Sequence, residues 1–169
     1  KTKNDDIVWI QASYNPVFDK SGKVYKVIKI GYDITEMKNQ RTEIDKMTLQ
    51  LNQQVAALNK SAIVSETDAD GNIIYVNDLF CAISEYSREE LIGKNHRILK
   101  SGKQPDGIFK GMWKAISTGL TWQGEILNIS KNGNYYWVET TIMPFKDHNG
   151  KIEKYVAIRF DISKQKESE

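Results

Sequence analysis

Asp70-Gly71-Asn72-Ile73-Ile74-Tyr75-Val76-Asn77 is the stretch whose reading decides the fold. Asp-Gly is a tight-turn pair, because its glycine accepts the positive φ that two-residue hairpin turns demand. Ile73 to Val76 is β-branched and aromatic, the composition of a strand. Asn77 then caps a short helix carrying Leu79, Phe80 and Ile83, its side chain suited to the first free backbone N–H groups. Upstream, Ala62-Ile63-Val64-Ser65-Glu66-Thr67 supplies the partner strand. The core of the chain therefore starts as strand, turn, strand, helix.

Working outward, Ser87-Arg88-Glu89-Glu90 reads as a capping box, with serine first and glutamate three later. It starts a helix over Glu89–Ile92. Gly93-Lys94-Asn95-His96-Arg97-Ile98-Leu99-Lys100 follows as a helix end running into a loop, and it places an amide, an imidazole and a guanidinium in consecutive positions. Pro105 sits at a favoured first helical position. The helix from about 105 to 118 carries Ile108, Phe109, Met112, Trp113 and Ile116 on one broad apolar face, and Gly119 ends it. Three strands follow, Trp122–Ser130, Asn134–Lys146 and Ile152–Ile162, joined by the turn signals Lys131-Asn132-Gly133 and His148-Asn149-Gly150. The order ββαααβββ implies an α+β domain, a five-stranded antiparallel sheet with its helices on one face.

Residues 1–36 hold a hairpin too small to be stable alone. Displacing the sequence by 128 residues explains it: Trp9 meets Trp137, Pro16 meets Pro144, Asp19 meets Asp147, Gly22-Lys23 meets Gly150-Lys151, and Asp33-Ile34 meets Asp161-Ile162. The same hairpin occurs twice, which makes residues 1–36 the end of a module whose sibling is complete downstream. Residues 37–60 between the copies lack Gly and Pro. Met37, Ile44, Leu51 and Leu58 recur every seven residues, with Gln40, Met47 and Gln54 at the intervening seam positions. That pattern fits either a short parallel coiled coil or a single amphipathic helix lying on its own domain.

Lys+Arg number 24 against Asp+Glu 22, without the clustered basic excess of a nucleic-acid surface. One cysteine, Cys81, permits neither a disulfide framework nor a cysteine-based zinc site. No apolar run is long enough to span a membrane and no signal peptide is visible, so a cytoplasmic location is expected. Both ends look like cuts in a longer protein. Hydrolase and phosphoryl-transfer motifs are absent, and no constellation supports an enzyme.

The element order and these residues resemble the PAS domain. The resemblance covers 61–163. It rests on Asp70–Asn77, Glu90-Leu91-Ile92-Gly93-Lys94, Trp137–Pro144 and the closing Asp161-Ile162-Ser163, which recurs as Asp33-Ile34-Thr35. It implies a sensor and interaction module of a bacterial receptor, such as a histidine kinase, chemotaxis transducer or cyclic-di-nucleotide enzyme. Residues 1–36 would be the C-terminal strands of an upstream PAS domain, 37–60 a signalling helix, and 164–169 the start of a downstream linker to an output domain. A parallel homodimer through 37–60 is expected.

Gly93–Leu99 is similar to the flavin-contacting motif of the LOV subfamily, Gly-Arg-Asn-Cys-Arg-Phe-Leu, but His96 stands at the photoreactive cysteine. Cys81, on an earlier helix, does not replace it, so adduct photochemistry is excluded. The FAD redox-sensing branch is more similar, through Ser65, Asn95, His96, Arg97, Trp113, Trp122 and Asn128. An amide such as Asn128 can donate and accept at a flavin ring edge. Trp113 or Trp122 offers a flat wall, and Arg97 can pair with phosphates. Beside this stands a cofactor-free or small-metabolite pocket in which Trp113 is simply core. Haem would have only His96 as axial ligand, since His148 lies in a turn. The two histidines make no metal cluster.

Overall fold

The computed structural model describes residues 1–168 and divides into two units, Lys1–Gln54 and Val55–Glu169. In the first, β1 (Ile10–Phe18) pairs antiparallel with β2 (Val24–Asp33), Ile10 opposite Asp33. Apolar side chains on this hairpin, among them Tyr14, Val27 and Ile30, are exposed. Helix α1 (Thr35–Ser61) begins two residues before the expected 37, because Asp33 Oδ1 accepts from Thr35 N at 2.9 Å and so starts the helix at the threonine. None of its residues is buried, and Met37, Ile44 and Leu51 are all exposed.

The second unit runs β3 (Ile63–Asp68), β4 (Ile73–Val76), α2 (Asp78–Ser84), α3 (Arg88–Leu91), a 3-10 turn (His96–Leu99), α4 (Asp106–Ser117), β5 (Trp122–Ile129), β6 (Tyr135–Lys146), β7 (Ile152–Asp161) and α5 (Ser163–Glu167). Its five strands lie in the order β4-β3-β7-β6-β5, every pair antiparallel. The α+β reading with a five-stranded antiparallel sheet therefore holds. Register puts Ser65, Ala157 and Ile142 across from one another on the inner face. Phe80, Leu91, Leu99, Met112 and Ile116 join that face in one core. Residue 169, the last of the linker expected over 164–169, lies outside the described residues.

Two local expectations are corrected. Pro105 is the residue before α4, not its first helical residue, with an extended ψ of 139°. The Gly93–Lys100 stretch is not merely a helix running out. Asn95 Oδ1 accepts from Arg97 N at 3.2 Å and so caps a separate 3-10 turn over His96–Leu99.

The internal repeat extends to individual hydrogen bonds. Asp19 Oδ1 accepts from Ser21 N at 2.8 Å and Lys23 N at 3.0 Å; Asp147 Oδ1 accepts from Asn149 N and Lys151 N at the same distances. Where each hairpin passes into a helix, a tryptophan backbone N–H donates to a side-chain hydroxyl at 2.9 Å: Trp9 to Thr35 and Trp137 to Ser163. Lys38 lies 5.5 Å over the Trp9 ring and Lys166 lies 5.7 Å over that of Trp137.

Asn77 joins three segments of the second unit. Its Oδ1 accepts from Phe80 N and Val64 N, both at 3.0 Å, which caps α2 and fixes β3. Its Nδ2 donates to Ala62 O at 2.7 Å and to Asn59 O at 3.2 Å. The residue is 3% exposed, so water cannot replace these partners. Asn77→Ala is expected to destabilise the protein by about 2–4 kcal/mol, read as a lower denaturation midpoint at unchanged slope in urea.

Candidate ligand cavity

The site is built by a strap that crosses the inner face of the sheet between its two edge strands. At the β4 edge, Gly93 N donates to Ile73 O and Ile73 N to Lys94 O, both at 2.8 Å. His96 N donates to Gly71 O at 2.9 Å, and Asn95 Nδ2 to Asp70 O at 3.1 Å. At the β5 edge, Lys100 bridges Asn128, and Gln104 acts as a substitute strand residue. Its Oε1 accepts from Leu127 N at 2.7 Å and its Nε2 donates to Glu125 O at 3.2 Å. Strap, α4 and sheet line a partly open cavity of about 610 Å³, in the size range of small-molecule sites.

Its walls are apolar where α4 and the sheet face each other, through Phe109, Met112, Trp113, Ile126, Ile142 and Tyr155. Trp113 stands edge-to-face with Tyr155, centroids 5.8 Å apart, and its ring lies against the β3–β4 turn. Gly71 is required there twice over. Its φ is +86°, and a Cβ would come within 2.9 Å of Trp113 Cη2. At the rim, the exposed Arg97 donates from Nε to Asn95 Oδ1 at 2.9 Å. Lys100 is engaged with Asp106 at 2.7 Å, and this bond holds the Asp106 carboxyl below its usual range.

The inner end is polar. Arg159, 4% exposed, donates to Ser65 Oγ at 2.9 Å and to His96 Nε2 at 3.0 Å. An arginine can only donate, so His96 Nε2 accepts and the imidazole carries its proton on Nδ1. Phe80 presents its face to the guanidinium, 5.8 Å away, and meets the His96 ring at 88°. Burial, then the charge of Arg159, pushes His96 down to about 3. Burial lowers Arg159 to about 10, which leaves it charged at neutral pH. Burial raises Tyr136 to about 12, against the opposing pull of Arg159 and a hydrogen bond from Asn128.

Of the seven residues singled out in the sequence, five line this cavity: Asn95, His96, Arg97, Trp113 and Asn128. Asn128 shares the inner face with Ile126, and Tyr136 is its cross-strand partner. Ser65 is 1% exposed and lies beneath the floor, where it holds Arg159. Trp122 is not part of the wall. Its ring folds back over Gly124, where a Cβ would sit 2.5 Å from it, so it covers its own strand. The sequence reading missed Arg159. The signal was present: Tyr155, Ala157 and Arg159 alternate on one face of a strand, which turns the arginine inward.

The PAS domain family model matches residues 1–36 and 60–164. The chain belongs to that family. It is 31% identical over 163 residues to the biofilm dispersion protein BdlA of Pseudomonas aeruginosa, covering 96% of this chain and 37% of that protein. It is 37% identical over 103 residues to the nitrogen fixation regulatory protein of Klebsiella oxytoca (61% of this chain, 21% of that one). It is 34% identical over 99 residues to the aerotaxis receptor of Escherichia coli (59% and 19%). The chain thus spans little more than a third of these relatives at most. Among solved structures, the PAS domain of a Colwellia psychrerythraea protein superposes with TM-score 0.60 at 28% identity, covering 68% of this chain and 98% of that one. The LOV domain of a blue-light activated histidine kinase from Erythrobacter litoralis gives 0.56 at 28% identity (60% and 96%).

The depressed histidine generates a pH dependence. His96 has a folded pKa near 3 against an ordinary value of 6.5, so below 6.5 the unfolded chain binds the extra proton. Stability is complete above that value and falls as pH drops toward 3. Between pH 6 and 4.5, above the carboxylate range, the loss should reach about 1–2 kcal/mol. Urea unfolding across that window reads it, and His96→Gln should flatten the slope.

Proposed function

We propose that residues 61–163 are the sensory module of a multidomain bacterial receptor, binding FAD in the cavity and reporting redox state. The carrying observation is the convergence of Asn95, His96, Arg97, Trp113 and Asn128 on one cavity that is apolar where α4 and the sheet face each other and polar at its inner end. The donor set suits a flavin. Apolar side chains of α4 and the sheet can take the ring's faces, Trp113 offers a flat surface, and the Asn128 amide can donate to and accept from a ring edge. Arg97 at the rim suits the phosphates. FAD would supply a two-electron centre whose oxidation state alters the hydrogen bonds at its ring edge. The regulatory and receptor names of the relatives support a signalling role.

In this reading Asn128 and Arg159 feel the ligand, and β7 carries the change to Asp161 and the helix beginning at Ser163. Residues 1–36 are the end of a preceding PAS domain, and a downstream output domain receives the signal in the cytoplasm. Protein purified and then incubated with FAD should show the yellow absorption of bound oxidised flavin after gel filtration. A colourless protein after reconstitution removes the FAD reading.

One observation favours a second role, dimerisation and relay without a cofactor. Met37, Ile44 and Leu51 are 62%, 62% and 59% exposed at seven-residue spacing along α1. A second copy in parallel would cover them. Sedimentation should find a dimer whose dissociation constant rises at least tenfold in Leu51→Lys; a monomer in both proteins ends this proposal.

A further inference from the structure

We infer that Arg159 is a ligand-recognition residue that favours the more negative state of a flavin ring at the inner end of the cavity. With FAD there, a refinement that rests on the reading above, Arg159 makes the bound ring easier to reduce than free FAD. The observation is a charge without a counter-charge. The guanidinium is 4% exposed, and its hydrogen-bond partners are the neutral Ser65 and His96. None of the ion pairs among the described residues includes it. Two of its five N–H groups are used in those bonds.

A cation buried without a paired anion is costly, and proteins ordinarily supply a carboxylate. Here the neighbours supply something else. Thr140, opposite Arg159 in the β6–β7 register, has a buried hydroxyl without a hydrogen-bond partner among the described residues. Phe80 offers a ring face and His96 a neutral nitrogen. None of these carries a negative charge, and Tyr136, whose phenol the charge of Arg159 reaches, is kept protonated by burial, so the guanidinium has no anion at the cavity floor. The molecule that completes this site brings an acceptor-rich or anionic edge.

A flavin ring presents carbonyl oxygens and ring nitrogens along such an edge. When a two-electron donor in solution supplies two electrons and the solvent one proton, the ring gains one net negative charge. Arg159 attracts that charge in a medium far less screening than water. Charge beside the ring is one of the ways a protein tunes a flavin.

Spectroelectrochemical titration of the whole FAD-loaded chain at fixed pH tests this, with wild type, Arg159→Gln and Arg159→Lys. Wild type should reduce with an equilibrium constant at least tenfold above that of free FAD, a midpoint about 30 mV more positive for a two-electron couple. Arg159→Gln should lose that tenfold and Arg159→Lys should keep it. Bound FAD that is no easier to reduce than free FAD overturns the inference while the FAD reading stands. So does a glutamine variant with the wild-type midpoint. Wild type that takes up no FAD fails at the loading step and overturns both. If the glutamine variant does not fold, the comparison of wild type with free FAD decides alone.

Discussion

Arg159 brings a fixed positive charge into the domain, and much of the cavity follows from what that charge requires. Its Nη2 needs an acceptor, which makes His96 a neutral imidazole with its proton on Nδ1. His96 reaches that position because its backbone N–H is held by Gly71 O and because Asn95 caps the 3-10 turn. Gly71 in turn must lack a side chain, since the Trp113 ring occupies the space. A residue on β7 thus constrains a turn between β3 and β4 and a helix that follows the strap. Removing Ser65, His96 or Arg159 leaves a partner with a buried polar group to satisfy, which is why such networks are costly to alter piecemeal.

Closure of the cavity depends on a different device. β4 and β5 are the two edges of the sheet, and an unpaired edge ordinarily invites association with another chain. The strap occupies both. Gln104 does at β5 what a neighbouring strand would do, with one side-chain amide accepting and donating in place of a peptide group. The segment that roofs the site is therefore also the segment that protects the sheet, and its position is set at both ends by hydrogen bonds to strand backbone rather than by packing alone.

The parts of this architecture that were legible in the sequence are those with a strong local cause. Asp70-Gly71 and the Gly-Lys turns need positive φ, Asn77 and Ser87 are capping residues, and the repeat is visible because Trp, Pro, Asp and Gly recur in one register. The 3-10 turn was hidden because its cap, Asn95, looked like a ligand contact. Trp122 was misplaced because an aromatic at a strand start gives no sign that it will fold over a glycine two residues on. Arg159 was passed over for the opposite reason. Charged residues in strands usually face water, and only counting by twos from Tyr155 turns it inward. Ser65 was noticed, but its partner was not.

The two hairpin-to-helix junctions lead to a further consequence. At each, the tryptophan backbone N–H meets a hydroxyl, an aspartate accepts from the first helical N–H, and the intervening Ile34 or Ile162 N–H returns to the tryptophan carbonyl at 2.9 Å. Beyond the lysine that covers the indole, none of these bonds involves the body of the helix. The joint therefore behaves as a standard fitting. It fixes the direction in which a helix leaves the sheet and leaves the sequence of that helix free. Natural recombination or grafting that joins chains just after Thr35 or Ser163 keeps every bond of the fitting. A join one residue earlier discards the hydroxyl that anchors it.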